Sequence, residues 1–415
     1  MTRRSMYVGF GILMLGICLG ALGTGVWEQH AMRPAEAGGG QVGDPVGVAP
    51  DRYVYYPGTE PLEPNEMRLI ACGTGMPAAR RGQAAACWVL ELGNGDKFIF
   101  DLGTGSMGNV MSLMIPANML TKVFLSHLHT DHFGDLAGLW AGGWTGGRTV
   151  PLEVWGPSGA REDMGTKYAI DHFLKAYNWD FMTRAVKVNP IPGGITAHEF
   201  DYQGKNQVVY QENGVTVRSW PAIHAGDGPV SFSLEWNGLK FVYGGDTVPN
   251  TWFNEYAKDA DVIIHECMHT PEQLTKFYNQ APQLALRMNT GFHTSAQAFG
   301  KVMSMAKPRH AIAYHFFNEE GTRFGIYEAV RETYDGPLSL ATDMMVWNIT
   351  KDGIKERMAV SPDEAWDVPG SEEALAPDPT RKPEIVWPEL VNQRLDMTEV
   401  NATWLNDYKK KYGLK

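Results

Sequence analysis

From about residue 67 to about residue 350, short apolar runs alternate with polar, glycine-containing breaks. The runs MRLIACGTG, WVLELG, KFIFDLGTG, KVFLSH, LEVWG, TVRSWPAIH, VSFSLEW, KFVYGGD, DVIIHE and HAIAYHF are rich in β-branched and aromatic residues and end in turn formers, so they predict strands. Helical spacing appears in SAQAFGKVMSMAK. There Ala298, Phe299, Val302, Met303 and Ala306 recur on one face, and Ser295 is placed to cap it. Strands interleaved with helices over this length predict a layered α/β architecture, one catalytic domain around a single large core. The pattern loosens between Trp140 and Tyr210, where Arg161 to Trp179 reads as helical and aromatic. The expectation is an insertion, about 140–210, that walls a site rather than a second domain.

The ends read differently. After Arg3 and Arg4, the run from Met6 to Trp27 is apolar and uncharged, the pattern of a signal peptide or membrane anchor over 1–37. It implies an exported protein, periplasmic or held at the membrane with its catalytic domain outside. Residues 38–66 read as a glycine- and proline-rich linker with an N-terminal strap. Residues 351–415 form a C-terminal extension: a proline- and acid-rich stretch, Ser361 to Pro388, then an amphipathic end segment. That segment is expected on the surface or on a partner subunit, which makes homo-oligomerisation one expectation. Three cysteines lie outside the apolar run: Cys72, Cys87 and Cys267. An odd number argues against a disulfide framework and for buried free thiols, with a Cys72–Cys87 pair the alternative if their strands adjoin. The net charge of −11 is opposite to the basic footprint of most nucleic-acid enzymes, so a nucleic-acid partner is disfavoured.

The chemistry concentrates at FLSHLHTDHFGD. Behind the strand KVFLS stand His127, His129, Asp131 and His132, in a chain with twelve histidines. In an extended segment, residues two apart share a face, so His127 and His129 point the same way. Imidazole and carboxylate at this density suit zinc or a similar divalent cation. Four candidate ligands in one short segment exceed what a single open site takes, so two ions are expected. Three further candidates, His224, Asp246 and His315, each end an apolar run. Ligands gather at that end of the strands in α/β sheets. His265 and Glu266 close DVIIHE, and Glu266 is placed to orient an imidazole. His269 reads as an exposed loop histidine, and His30, His172, His198 and His310 as structural.

HLHTDH matches the HxHxDH signature of the metallo-β-lactamase superfamily, and His224, Asp246 and His315 follow in that superfamily's order. Within it the chain resembles the tRNase Z-like branch. ACGTGMPAARRGQAAACWVLEL is similar to its glycine-rich opening, IIHECMH to its HEAT segment, and FHTSAQAFGKVMSMAKPRHAIAYHF to the run from its catalytic histidine to its last ligand. Longer stretches, among them SWPAIHAGDGPVSF and ATDMMVWNIT, resemble environmental metallo-β-lactamases inside that branch. The resemblance implies a four-layer αββα sandwich and two zinc ions per chain. His127, His129 and His224 would hold one ion; Asp131, His132 and His315 the other; Asp246 would bridge. Ions about 3.5–4 Å apart share a hydroxide that acts as nucleophile. His293 would protonate the leaving oxygen. His265, Glu266 and Asp131 complete the expected catalytic set.

The chain departs from tRNA-processing members in three places. Thr294-Ser295 replaces serine-threonine, DLGTGS stands where a glutamate is usual, and no glycine- and proline-rich arm is evident. Trp140, Trp144, Trp155 and Trp179 are expected to wall the site and to suit flat small molecules. The leading expectation is therefore an exported zinc hydrolase that opens β-lactam rings. The alternatives are a tRNase Z-like phosphodiesterase or endoribonuclease, a hydrolase of another small ester or lactone, and a metal-binding surface protein without catalysis.

Overall fold

The computed structural model describes residues 53–78, 80–362, 378 and 380–414. The expected signal or anchor over 1–37 lies outside the described residues. Among the described residues no helix is long and apolar enough to cross a membrane.

The strands in chain order are β1 Val54–Tyr55, β2 Met67–Gly73, β3 Cys87–Leu92, β4 Lys97–Leu102, β5 Lys122–Phe124, β6 Leu152–Pro157, β7 Ile195–Phe200 and β8 Gln207–Glu212. They continue with β9 Val215–Pro221, β10 Val230–Trp236, β11 Leu239–Tyr243, β12 Val262–Glu266, β13 His310–Tyr314, β14 Leu338–Leu340, β15 Met345–Ile349 and β16 Ile354–Ala359. One sheet runs β1-β16-β15-β2-β3-β4-β5-β6-β7 and the other β14-β13-β12-β11-β10-β9-β8.

Both faces of the central strands are apolar, and alternation sorts the side chains between two cores. On β3, Trp88, Leu90 and Leu92 point into the space between the sheets, where Phe100, Phe124, Phe232 and Phe241 also pack. Cys87 and Val89 point outward, under the helices Leu136–Thr145 and Thr166–Ala176. Across the molecule, Val262 and Ile264 face the inner core. Ile263 instead meets Phe253, Phe299, Val302 and Ile326 of three outer helices, Thr251–Tyr256, Ala296–Ala306 and Glu320–Arg331. The result is helix, sheet, sheet, helix, the αββα order expected from the sequence. Ser295 accepts from Ala298 N and caps Ala296–Ala306 as its position predicts.

Two expectations need correction. The stretch 140–210 is no separate wall: β6 and β7 extend the first sheet at one edge, and β8 extends the second. Three of its four tryptophans are core. Trp140 and Trp144 are fully buried and donate to Gly193 O at 2.8 Å and Asn189 O at 2.6 Å. Trp155 stacks on Phe124 with ring centroids 4.9 Å apart, and Trp179 alone of the four is exposed. Second, the sheet does not stop at residue 350. β16 pairs antiparallel with β15 and parallel with β1, so the strap and the start of the extension complete the first sheet. Arg357 clamps the two segments by donating to Glu60 at 2.7 Å. The thiols are as expected: Cys72 and Cys87, although on adjoining strands, stay free and buried, as does Cys267.

Candidate metal centre

Every candidate ligand stands just beyond the carboxyl end of a strand. β5 stops at Phe124; His127 and His129 follow, and Asp131 and His132 open the short helix Thr130–Phe133. His224 follows β9, Asp246 follows β11 and His315 follows β13. Two backbone devices set the last two. Gly245 takes φ +59°, and a Cβ there would lie 2.7 Å from the Ser126 Cβ, so only glycine brings this turn against the first cluster. His315 itself adopts φ 70°, held by its N–H donating to Thr74 O at 2.9 Å. Non-glycine residues in that region concentrate at functional sites.

The seven side chains from these separate segments converge. His129 Nδ1 lies 3.0 Å from His127 Nε2 and 3.3 Å from His224 Nε2. His315 Nε2 lies 3.3 Å from Asp131 Oδ2 and 3.1 Å from Asp246 Oδ2. His132 Nε2 is 3.3 Å from Asp246 Oδ1 and 3.5 Å from Asp131 Oδ2. His224 Nε2 reaches Asp246 Oδ2 at 3.8 Å, so Asp246 touches both groups. Donor atoms within 4.8 Å of one another group His127–His129–His224 and Asp131–His132–Asp246–His315; Asp246 and His315 also group with Glu266 and His293, and His127 and His132 with Asp101.

Outer partners fix which nitrogens carry lone pairs. Asp101 Oδ2 accepts from Ser126 Oγ, His132 Nδ1 and Tyr243 OH, each at 2.6 Å. With its proton on Asp101, Ser126 Oγ accepts from His127 Nδ1 at 3.0 Å. His224 Nδ1 donates to Phe292 O at 2.8 Å. The Nε2 atoms of His127, His132 and His224 are thereby left as acceptors aimed at the centre. His132 Nε2, Asp131 Oδ1 and Asp246 Oδ1 are buried and make no hydrogen bond within the protein. Buried polar atoms seldom go unpaired, and this donor set of imidazoles and carboxylates fits divalent metal ions.

The electrostatics agree. Burial above all holds His127 well below its ordinary pKa, and burial also lowers that of His224. Burial also opposes charge on His315, but the Asp246 and Asp131 carboxylates outweigh it and raise its pKa to about 10. A cation serves this set better than protons do. Each proton satisfies one pair, whereas an ion meets every lone pair at once.

Beside the ligands, Glu266 Oε2 accepts from His293 Nδ1 at 2.7 Å, and its Oε1 accepts from Thr247 N at 2.6 Å. Burial works against protonating His293, yet Glu266 overcomes it and the pKa is raised. His293 Nδ1 lies 3.9 Å from Asp246 Oδ2, at the edge of the cluster. His265 does not join it. On β12 it shares the face of Ile263, packs against Phe253 and Phe299, and meets the Glu266 carbonyl at 2.8 Å. Burial lowers its pKa to about 4. His269, read as exposed, is fully buried; its Nε2 accepts from Phe317 N at 3.1 Å. Asp101, the first residue of DLGTGS, was not read from the sequence as a partner of the ligands. Its position directly after the apolar run KFIF was the signal available; in the structure it takes φ 55°.

A cleft of about 380 Å³ opens over His127, His129 and His224. Pro157, Ser158, Asp163 and Met164 line it on one side, residues 225–229 on the other, so the 140–210 stretch contributes a short loop rather than an aromatic wall.

Residues 80–266 match the family model described as Metallo-beta-lactamase superfamily. The chain carries a metallo-beta-lactamase superfamily domain. Ribonuclease Z of Mycobacterium marinum is 27% identical over 256 residues, covering 60% of this chain and 86% of that protein. Ribonuclease Z of Mycobacterium sp. strain KMS is 28% identical, over 60% of this chain and 84% of its own length. These relatives are consistent with the tRNase Z-like branch. The metallo-beta-lactamase fold protein YhfI from Bacillus subtilis shares the fold, with a TM-score of 0.51, 17% identity, and coverage of 69% of this chain and 100% of that one. The match over residues 80–266 and the clustered candidate metal ligands mark the chain as a metal-dependent hydrolase.

Proposed function

We propose that the chain is a phosphodiesterase of the ribonuclease Z kind that works with two zinc ions. The observation that carries this reading is the Glu266–His293 pair beside the ligand cluster. Phosphodiester cleavage expels an alkoxide, a poor leaving group that needs a proton, and a positioned acid supplies it. Glu266 stabilises the imidazolium form and orients the ring through Nδ1, leaving Nε2 to deliver the proton. The ribonuclease Z relatives support the same reading. They lend none to β-lactam opening, so phosphodiester chemistry replaces the leading sequence expectation.

His127, His129 and His224 would hold one ion, Asp131, His132 and His315 the other, with Asp246 between them. When bound, a zinc pair supplies a water nucleophile ionised near neutrality and positive charge for the phosphoryl oxygens. Asp101 keeps His132 and, through Ser126, His127 in the tautomers that present Nε2. The test is turnover of bis(p-nitrophenyl) phosphate, an unstructured oligoribonucleotide, a penicillin and a carbapenem by zinc-loaded protein, with and without chelator. Chelator-sensitive cleavage of a phosphodiester is expected. Turnover of a lactam with neither phosphodiester cleaved would return the lactam reading and remove this one.

A further inference from the structure

A second recess, of about 450 Å³, lies across the β9–β10 loop from the cleft over the metal centre. His224, Gly226, Asp227 and Gly228 line both, so this stretch is a shared ridge. The other walls of the recess are Tyr202, Gln203 and Lys205, on the turn between β7 and β8, and Trp252, on the helix Thr251–Tyr256. Hydrogen bonds tie these walls to the metal centre. Tyr202 N donates to Ser158 Oγ at 3.3 Å, and Ser158 lines the first cleft. On the ridge, Ile223 N donates to Thr247 Oγ1 at 2.9 Å and Ile223 O accepts from Val248 N at 2.8 Å, directly after Asp246.

The chemistry of the walls selects the occupant. Tyr202 and Trp252 are half-buried, each packed on a hydrophobic core, so their rings offer aromatic surface at fixed places. Lys205 and Asp227 are exposed, and among the described residues neither forms an ion pair. Their charges cancel, so the recess suits an uncharged group better than a phosphate. Lys205 supplies donors and Asp227 acceptors; Gln203 donates to Tyr202 OH at 2.8 Å and keeps its Oε1 as a further acceptor. Aromatic surface with donors and acceptors beside it is what a nucleobase uses, stacking by its face and hydrogen-bonding by its edge. We infer that this recess is a subsite for a nucleobase, the one flanking the phosphodiester at the metal centre. The placement of that phosphate rests on the phosphodiesterase reading.

Calorimetry of the zinc-loaded full chain with adenosine 5′-monophosphate and with ribose 5-phosphate tests this. The two ligands share sugar and phosphate and differ in the base. The nucleotide is expected to bind about tenfold more tightly, the gain from one stacked base. Trp252→Leu and Tyr202→Leu should each cut that ratio severalfold. Both variants should still bind ribose 5-phosphate and turn over methyl p-nitrophenyl phosphate, a diester without a base, as the parent does; a misfolded variant would lose these as well. Equal affinity of the parent for the two ligands overturns the inference, as does a ratio that survives both substitutions. A base-dependent ratio in a protein that cleaves no methyl p-nitrophenyl phosphate would remove the phosphodiesterase reading and leave the base subsite standing.

Discussion

At the scale of single residues, two buried histidine types divide the labour. His293 has an acid partner and reaches the ligand cluster; His265 and His269 have neither. His293→Ala is expected to lower turnover of a phosphodiester by roughly 10²–10⁴-fold, the range of a lost general acid. Metal content should be unchanged, and parallel loss of zinc by elemental analysis would contradict the assignment. Burial lowers the pKa of His265 and His269 to about 4, from 6.5. Their folded values lie below the unfolded one, so between pH 6.5 and 4 the unfolded chain binds protons the folded chain refuses. Their stabilising contribution is complete above pH 6.5 and is lost as pH falls toward 4, by up to roughly 3 kcal/mol each. His265→Leu removes one such group. From pH 6.5 to 5, urea unfolding should shift the stability difference in the variant's favour by roughly 2 kcal/mol; no shift would mean His265 titrates normally. The sequence hid this difference because DVIIHE is apolar on both faces. Period-two alternation puts His265 with Ile263, under the helices, and Glu266 with Ile264, toward the site, but no polar marker shows which face is which.

Elements set the positions those residues need. Gly103 follows β4, and a Cβ there would lie 2.0 Å from Asp131 O. Gly103→Ala should therefore push the His127–His132 segment away from Asp101, lowering zinc content and stability by roughly 1–3 kcal/mol. Unchanged metal content and melting would show the segment to be free of that contact. β16 matters in another way. Ending the chain after Thr350 strips β16 from between β1 and β15 and removes Arg357, so the truncated chain should be insoluble or melt without cooperativity. Native-like melting would show that β16 is an ornament. The predicted strands all formed, because long β-branched and aromatic runs leave little choice. Six strands were missed: β15 and β16, which lie at and beyond the end set for the domain at residue 350, and four others of two kinds. β1 and β14 are too short to show a period, and β7 and β8 sit at sheet edges where half-exposed positions admit polar residues. The same edge positions made 140–210 resemble an insertion. Its tryptophans were taken for a site wall because composition cannot say on which side of a sheet a side chain ends.

For the molecule as a whole, the site was more legible than its surroundings. The seven candidate ligands stood out because imidazoles and carboxylates at successive strand ends have few structural reasons to be there. Asp101 did not, since a lone aspartate after an apolar run is common, and its three acceptor contacts come from partners far apart in the chain. Substrate was the least legible of all. Net charge and an apolar N-terminal run pointed to a small molecule outside the cell, whereas the Glu266–His293 geometry and the ribonuclease Z relatives point to a phosphodiester. The most direct measurement is a zinc titration of chelator-stripped protein, followed by hydrolysis of bis(p-nitrophenyl) phosphate. Two donor sets sharing Asp246 require turnover that climbs with added zinc and levels off at two equivalents per chain. Turnover that is absent at every ratio, or that is full before any zinc is added, would contradict a paired-ion phosphodiesterase.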